Sequence, residues 1–180
     1  MMRFMLSLVL AIGVGTTGIG MMGAAVAAVP PAGPAASPAP PPSTESFLAS
    51  VAMDAQFEID SGKLALTRTK SAAVKDFAYR MVDEYGAVAA RLKEAVSRAK
   101  LAPPPETLDP PHQAMLDDLK ARDGASFDKA YVADQVQVLR DNADLFRTYA
   151  TLGDDARIKR FAQELLLTVR SHFDDASRLR

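Results

Sequence analysis

No cysteine occurs among the 180 residues, so disulfides, thiolate metal sites and cysteine nucleophiles are all excluded. The chain must be held together by its core. Only two histidines are present, His112 and His172, and there is no Gly-x-Ser-x-Gly, so a Ser/His/Asp triad has no support. Neither sign of charge dominates, with 21 Lys plus Arg against 22 Asp plus Glu. That balance leaves no electrostatic footprint for nucleic acid. Proline is missing from most of the chain, since all 12 fall between Pro30 and Pro42 or between Pro103 and Pro111. Outside those stretches the strongest helix breaker is absent. Alternating ten-residue segments, from which a membrane barrel is built, are absent as well.

The N-terminus carries one charge, Arg3, before an apolar core from Phe4 to Val14 and a small-residue end at Ala25-Val26-Ala27. This is the layout of a secretory signal peptide over residues 1–27. The competing reading is an uncleaved anchor, because Phe4 to Val29 is uncharged and long enough to span a bilayer. Five glycines and two threonines argue against the anchor. No cysteine is available for lipid attachment. Gly13-Val14-Gly15-Thr16-Thr17-Gly18 has the spacing of a dinucleotide fingerprint but lacks the strand, the helix and the acidic residue that motif requires. Residues 28–43, rich in Pro and Ala, read as a disordered linker. Residues 44–180 remain as one domain.

Within that domain a pentapeptide recurs. Val74-Lys75-Asp76-Phe77-Ala78 returns as Ile158-Lys159-Arg160-Phe161-Ala162, and each copy follows a stretch that opens with Ser-Phe, at Ser46-Phe47 and Ser126-Phe127. Two such halves suggest one helical hairpin used twice, each burying the other's apolar face. Period-3.6 patterning predicts helices over Glu45 to Thr69, Ala72 to Lys100, Ala125 to Ala150 and Asp155 to Leu179. Ser71 and Asp154 are the expected caps of the second and fourth. The links inside each half are short, whereas about 24 residues, Leu101 to Gly124, join the halves and can reach roughly 80 Å. That is enough to cross the bundle even with a short helix over Gln113 to Ala121. The fold class expected is all-α, a ferritin-like four-helix bundle of two hairpins joined by a long crossover.

Glu58, Tyr85, Gln135 and His172 interrupt the apolar stripes. With a crossover, all four fall within about one helical turn of each other at 1.5 Å per residue, in mid-bundle. Ferritin-like bundles hold metals there, with a Glu from each of two helices and a Glu-x-x-His from each of the others. Here Val82 precedes Tyr85 by three and Val169 precedes His172 by three, so neither helix has the motif. Glu58 and His172 are the candidate metal ligands, enough for at most a weak single-metal site. No other cofactor is expected. The alternative is a buried polar cluster in which Tyr85, Gln135 and His172 supply hydrogen bonds to Glu58 and fix helix register. Partial exposure of Glu58 at the stripe edge is a further option. His112, beside Pro110-Pro111, reads as simply exposed.

Phe47-Leu48 leading to Glu58-Ile59-Asp60-Ser61-Gly62-Lys63-Leu64-Ala65, the repeated pentapeptides, Arg80-Met81-Val82-Asp83-Glu84, Phe127-Asp128-Lys129-Ala130-Tyr131 and the run to His172 resemble the exported bacterial family catalogued as domain of unknown function 4142. The resemblance covers Phe47 to Leu179 and implies a ferritin-like bundle of unknown role, often labelled an outer-membrane protein. Members of that family carry His after the acidic pair of the second helix and again in the third, where this chain has Tyr85 and Leu139. The expected function is that of an exported, periplasmic, non-enzymatic binding or structural module. The alternative is a metal-binding or stress-related bundle using Glu58 and His172. A protein partner is left open, nucleic acid is not expected, and membrane contact follows only if the leader is retained.

Overall fold

The computed structural model describes residues 40–179. The signal peptide over 1–27 and most of the linker over 28–43 lie outside the described residues. Helix α1, Thr44–Arg68, begins where Ser43 Oγ accepts the Ser46 N–H at 3.2 Å, filling one of the amide positions a helix start leaves open. The first residues after the linker are therefore already fixed. Ser71 does the same for α2, Ala72–Ala99, by accepting from Val74 N–H at 3.4 Å. That helix ends on Lys100 in the left-handed region, φ 59°, and Leu101 N–H returns to Val96 O at 3.1 Å, closing its last turn.

The crossover differs from the sequence-based expectation in a telling way. Helix α3 is Pro110–Lys120 and starts three residues before the Gln113 expected. Asp109 caps it, and Pro110 and Pro111 occupy its first turn, where a missing N–H costs nothing and the fixed φ already suits a helix. Prolines that look like a breaker are here a start. Helix α4, Gly124–Leu152, and α5, Ala156–Ala176, complete the set. The cap of α5 is Asp155, whose Oδ1 accepts from Arg157 and Ile158 N–H at 2.8 and 3.0 Å. Asp154, the cap expected, instead takes hydrogen bonds from Thr44 Oγ1 and Tyr149 OH, which tie the start of α1 to the α4–α5 turn. No strand is present among the described residues.

Helices α1 and α2 form one hairpin and α4 and α5 the other, and α1 packs on α4 while α2 packs on α5. Phe47, early in α1, stacks on Tyr149, late in α4, with ring centres 4.1 Å apart. Arg157, at the start of α5, donates to Ala99 O at the end of α2. Both inter-hairpin pairs are thus antiparallel, which the long crossover requires. The two repeated phenylalanines sit at opposite ends of the bundle. Phe161 packs with Phe146, and Phe77 packs with Tyr131.

The crossover helix packs outside this frame. Phe57 of α1, Leu116 of α3 and Val138 of α4 form a second small apolar cluster, joined by Leu108 and Met115. Helix α3 is thereby pinned along the α1–α4 face. No helix among the described residues is long and apolar enough to cross a membrane.

Two helical glycines make opposite demands. A Cβ on Gly62 would lie 2.8 Å from Val82 Cγ2 and 3.2 Å from Ala78 O, whereas one on Gly86 would meet nothing within 4 Å. Gly62 therefore marks the closest approach of α1 to α2. Gly86→Ala is expected to stabilise the protein by about 0.5–1 kcal/mol through lower backbone entropy. Gly62→Ala gains the same term but is expected to lose about 1–3 kcal/mol to overpacking. Urea unfolding of both variants checks the opposite signs; equal shifts would refute the close approach.

Candidate functional site

Each of the four polar residues singled out in the sequence is placed inside the bundle by the apolar residues one turn away. Glu58 rides with Ala55 and Gly62 on α1, Tyr85 with Met81 and Val88 on α2, Gln135 with Tyr131 and Val138 on α4, and His172 with Val169 and Ala176 on α5. Glu58 and Gln135 are 0% exposed, Tyr85 1% and His172 4%. Partial exposure of Glu58 is thus overturned. Tyr85 and His172 touch, with ring centres 5.4 Å apart.

Their hydrogen bonds do not converge on Glu58. His172 Nε2 donates to Glu84 Oε2 at 2.6 Å, at the outer edge of α2, and its Nδ1 is left without a partner. Gln135 Nε2 donates to Ser61 Oγ at 3.3 Å. Tyr85 OH accepts from Asn142 Nδ2 at 3.3 Å. Both carboxyl oxygens of Glu58 remain buried and unpartnered, as do Tyr131 OH, Gln135 Oε1 and Asn142 Oδ1. The expectation that three donors would satisfy a Glu58 carboxylate is corrected accordingly.

Physical chemistry supplies a different resolution. A carboxylate stripped of water and partners is strongly disfavoured, and burial pushes the Glu58 carboxyl up from 4.5 to about 8. The nearby Gln135 amide opposes that shift, while the charges of Asp54 and Asp134 add to it. At neutral pH the group is therefore an acid, and it gains a donor that the orphaned acceptors around it lack. Burial also pushes the Tyr85 and Tyr131 phenols well above their ordinary range, so they stay neutral. The mid-bundle layer carries almost no charge. Surface pockets of 240 to 580 Å³ indent the bundle, and Glu58, Tyr85, Gln135 and His172 do not line these.

A second polar group lies at the corner where α3 meets α1 and α4. His112, expected to be exposed, has a side chain only 15% exposed with its ring edge-on to Phe57, centres 5.3 Å apart. Its Nδ1 lies 2.7 Å from Asp109 Oδ1, which also accepts the His112 N–H at 2.9 Å. Its Nε2 faces Asp54 Oδ1 at 3.5 Å. Burial pushes the Asp54 carboxyl up from 3.8 to about 7, opposed by His112. Sequence reasoning passed over Asp54, Asp109, Ser61, Glu84 and Asn142. Signals for two of them exist: Asp54 is four residues before Glu58 and so shares its helix face, and Asp109-Pro110-Pro111 is a capped helix start. No group of three or more His, Cys, Asp or Glu side chains among the described residues is arranged to hold a metal ion.

Against this geometry, a family model described as a domain of unknown function (DUF4142) matches residues 29–179. Among solved structures, one described as "CopM in the Cu(II)-bound form" is similar, with a TM-score of 0.65 and 14% identity, covering 77% of this chain and 95% of that one. At that identity the likeness shows a shared helical fold. No curated protein matches the chain.

Proposed function

The chain belongs to the DUF4142 family, and from that premise we propose that it is an exported helical bundle that works by binding and carries out no catalysis. One observation carries this reading: Glu58, the only carboxyl among the four mid-bundle residues, is fully buried and unpartnered. A general acid or base must reach the proton it moves, and Glu58 is closed off from solvent. The polar layer serves to set helix register. Export to the periplasm is supported by the leader pattern over 1–27 alone.

A ferritin-like scaffold invites a direct test, the aerobic oxidation of Fe(II). The purified protein is expected to leave the rate at its protein-free value. An acceleration removed by Glu58→Gln would overturn the non-catalytic reading.

A second reading, a metal-binding or stress-related bundle, draws support from the fold shared with a protein solved in a Cu(II)-bound form. The pair expected for it in the sequence, Glu58 and His172, fits it poorly. Glu58 holds its proton at neutral pH and so is not ready as a ligand, and with His172 Nε2 engaged by Glu84 that ring is left only its buried Nδ1. Metal binding on this chain therefore calls for other residues.

A further inference from the structure

We propose that the groove between α1 and α2, roofed by the start of the crossover, is a binding site for a medium-chain fatty carboxylate, whose aliphatic chain lies along the two helices and whose carboxylate meets Lys93. The proposal rests on the reading that the chain acts by binding and gives that reading a place and a ligand class.

The groove begins where the close contact of α1 with α2 ends. A Cβ on Gly62 would lie 2.8 Å from Val82 Cγ2, whereas one on Gly86, a single turn beyond Val82, would meet nothing within 4 Å. Small residues thus serve two opposite ends. At Gly62 the lack of a side chain lets the helices touch, and at Ala52, Ala55, Gly86 and Ala89 the small side chains leave room. Leu101, Pro103 and Pro104 supply a third wall, and the fixed φ of the prolines keeps that strap from sagging into the gap. The result is a pocket of 580 Å³, within the roughly 300–1,000 Å³ of small-molecule sites, which are mostly apolar with a few placed polar groups.

The lining selects the ligand. Along α2 the pocket runs from Gly86 to Ser97, about 16 Å of helix at 1.5 Å per residue, and Ile59, Leu92 and Val96 continue its apolar walls. That shape suits one extended hydrocarbon chain. No aromatic side chain lines the pocket, so a flat ring would find no stacking partner there. At the mouth Lys93 Nζ pairs with Glu106 Oε1 at 2.8 Å, with side chains 71% and 69% exposed. A pair so exposed contributes little and exchanges readily. Lys93 is fixed on α2 whereas Glu106 rides on the strap, so a ligand carboxylate can take the ammonium while Glu106 turns to water. One carboxylate then replaces another on the same cation. A cationic head group would meet Lys93 itself and be repelled.

The test is calorimetric titration of the purified full chain with dodecanoate, kept below its micelle-forming concentration, beside decanoate, octanoate and dodecanol. Saturable binding of one dodecanoate per chain is expected, weakening about 4-fold for each methylene removed. Gly86→Leu fills the open floor of the pocket and should weaken binding at least about 10-fold, with stability in urea equal to or above that of the parent because leucine is the better helix former. Lys93→Gln should weaken dodecanoate about 3-fold and leave dodecanol unchanged. That loss of preference serves as the readout if Gly86→Leu disturbs α2. Dodecanoate binding that is unsaturable, that ignores chain length, or that survives Gly86→Leu in a stable protein would overturn the site while leaving a binding module elsewhere on the chain. A parent that sediments as a dimer beside a monomeric Gly86→Leu would assign the groove to a second copy and overturn the proposal as well. Absence of any binding would overturn it too, while the non-catalytic reading would still answer to the iron assay.

Discussion

The stability of this protein should fall as pH rises from about 5 to 9, and Glu58→Gln should remove the largest single share of that fall. The Glu58 carboxyl is raised from 4.5 to about 8 by burial first, with Asp54 and Asp134 adding to it. A raised folded-state value means that the native protein holds a proton the unfolded chain has released. The associated stability is fully present below pH 4.5 and is lost as pH climbs through about 8. Over that window the linkage amounts to roughly 4–5 kcal/mol, a large share of the 5–15 kcal/mol typical of a domain. Asp54 and Asp134, raised by burial to about 7 and about 6, act with the same sign. In Glu58→Gln the amide N–H groups can serve the orphaned Gln135 Oε1 and Tyr131 OH. Urea unfolding across the pH range should give similar stabilities for variant and parent at pH 5 and a variant several kcal/mol more stable at pH 9. Parallel curves would place Glu58 in contact with water.

Phe57→Ala should cost about 3–5 kcal/mol and loosen α3 on the bundle. Phe57 is 0% exposed and belongs to the small cluster with Leu116 and Val138 that, together with Leu119 buried in the main core, holds the crossover helix. Loss of the ring removes its transfer free energy and opens a cavity that the long helices α1 and α4 cannot collapse to fill. The His112 ring leans on the same phenylalanine, so the corner holding Asp54 and His112 should loosen as well. Urea unfolding measures the stability, and hydrogen exchange across α3 measures the loosening. Retained protection of α3 with a loss below about 1 kcal/mol would show that the helix is held by something else.

How much of this the sequence reveals depends on which interactions are periodic. The four long helices follow from stripes of apolar residues at 3.6 spacing, and the two-hairpin plan follows from the repeated Lys-x-Phe-Ala and Ser-Phe elements. Placing Glu58, Tyr85, Gln135 and His172 inside the bundle needs no more than those stripes. The partners of those residues follow a different logic. Glu84, one residue before Tyr85, points to the helix edge, and only the rotation of α2 against α5 brings it to His172. Ser61 takes the Gln135 amide because α1 and α4 approach closely there. Non-local geometry of that kind leaves no mark in one chain. The α3 corner was hidden for another reason: Pro110 and Pro111 look like loop residues until Asp109 is seen as their cap. Asp154 and Asp155 were confused because both can cap a helix by sequence, and only the tertiary bonds of Asp154 to Thr44 and Tyr149 decide between them.

The middle of this bundle is a neutral, proton-holding layer. Carbon-13 labelling of glutamate carboxyls, with Glu58→Gln to assign the Glu58 signal, allows its protonation to be followed directly by pH titration. A midpoint near 8, unmoved by added copper(II) or iron(II), is the result predicted. A midpoint near the ordinary 4.5, or a Glu58 signal lost on adding either metal, would contradict the claim.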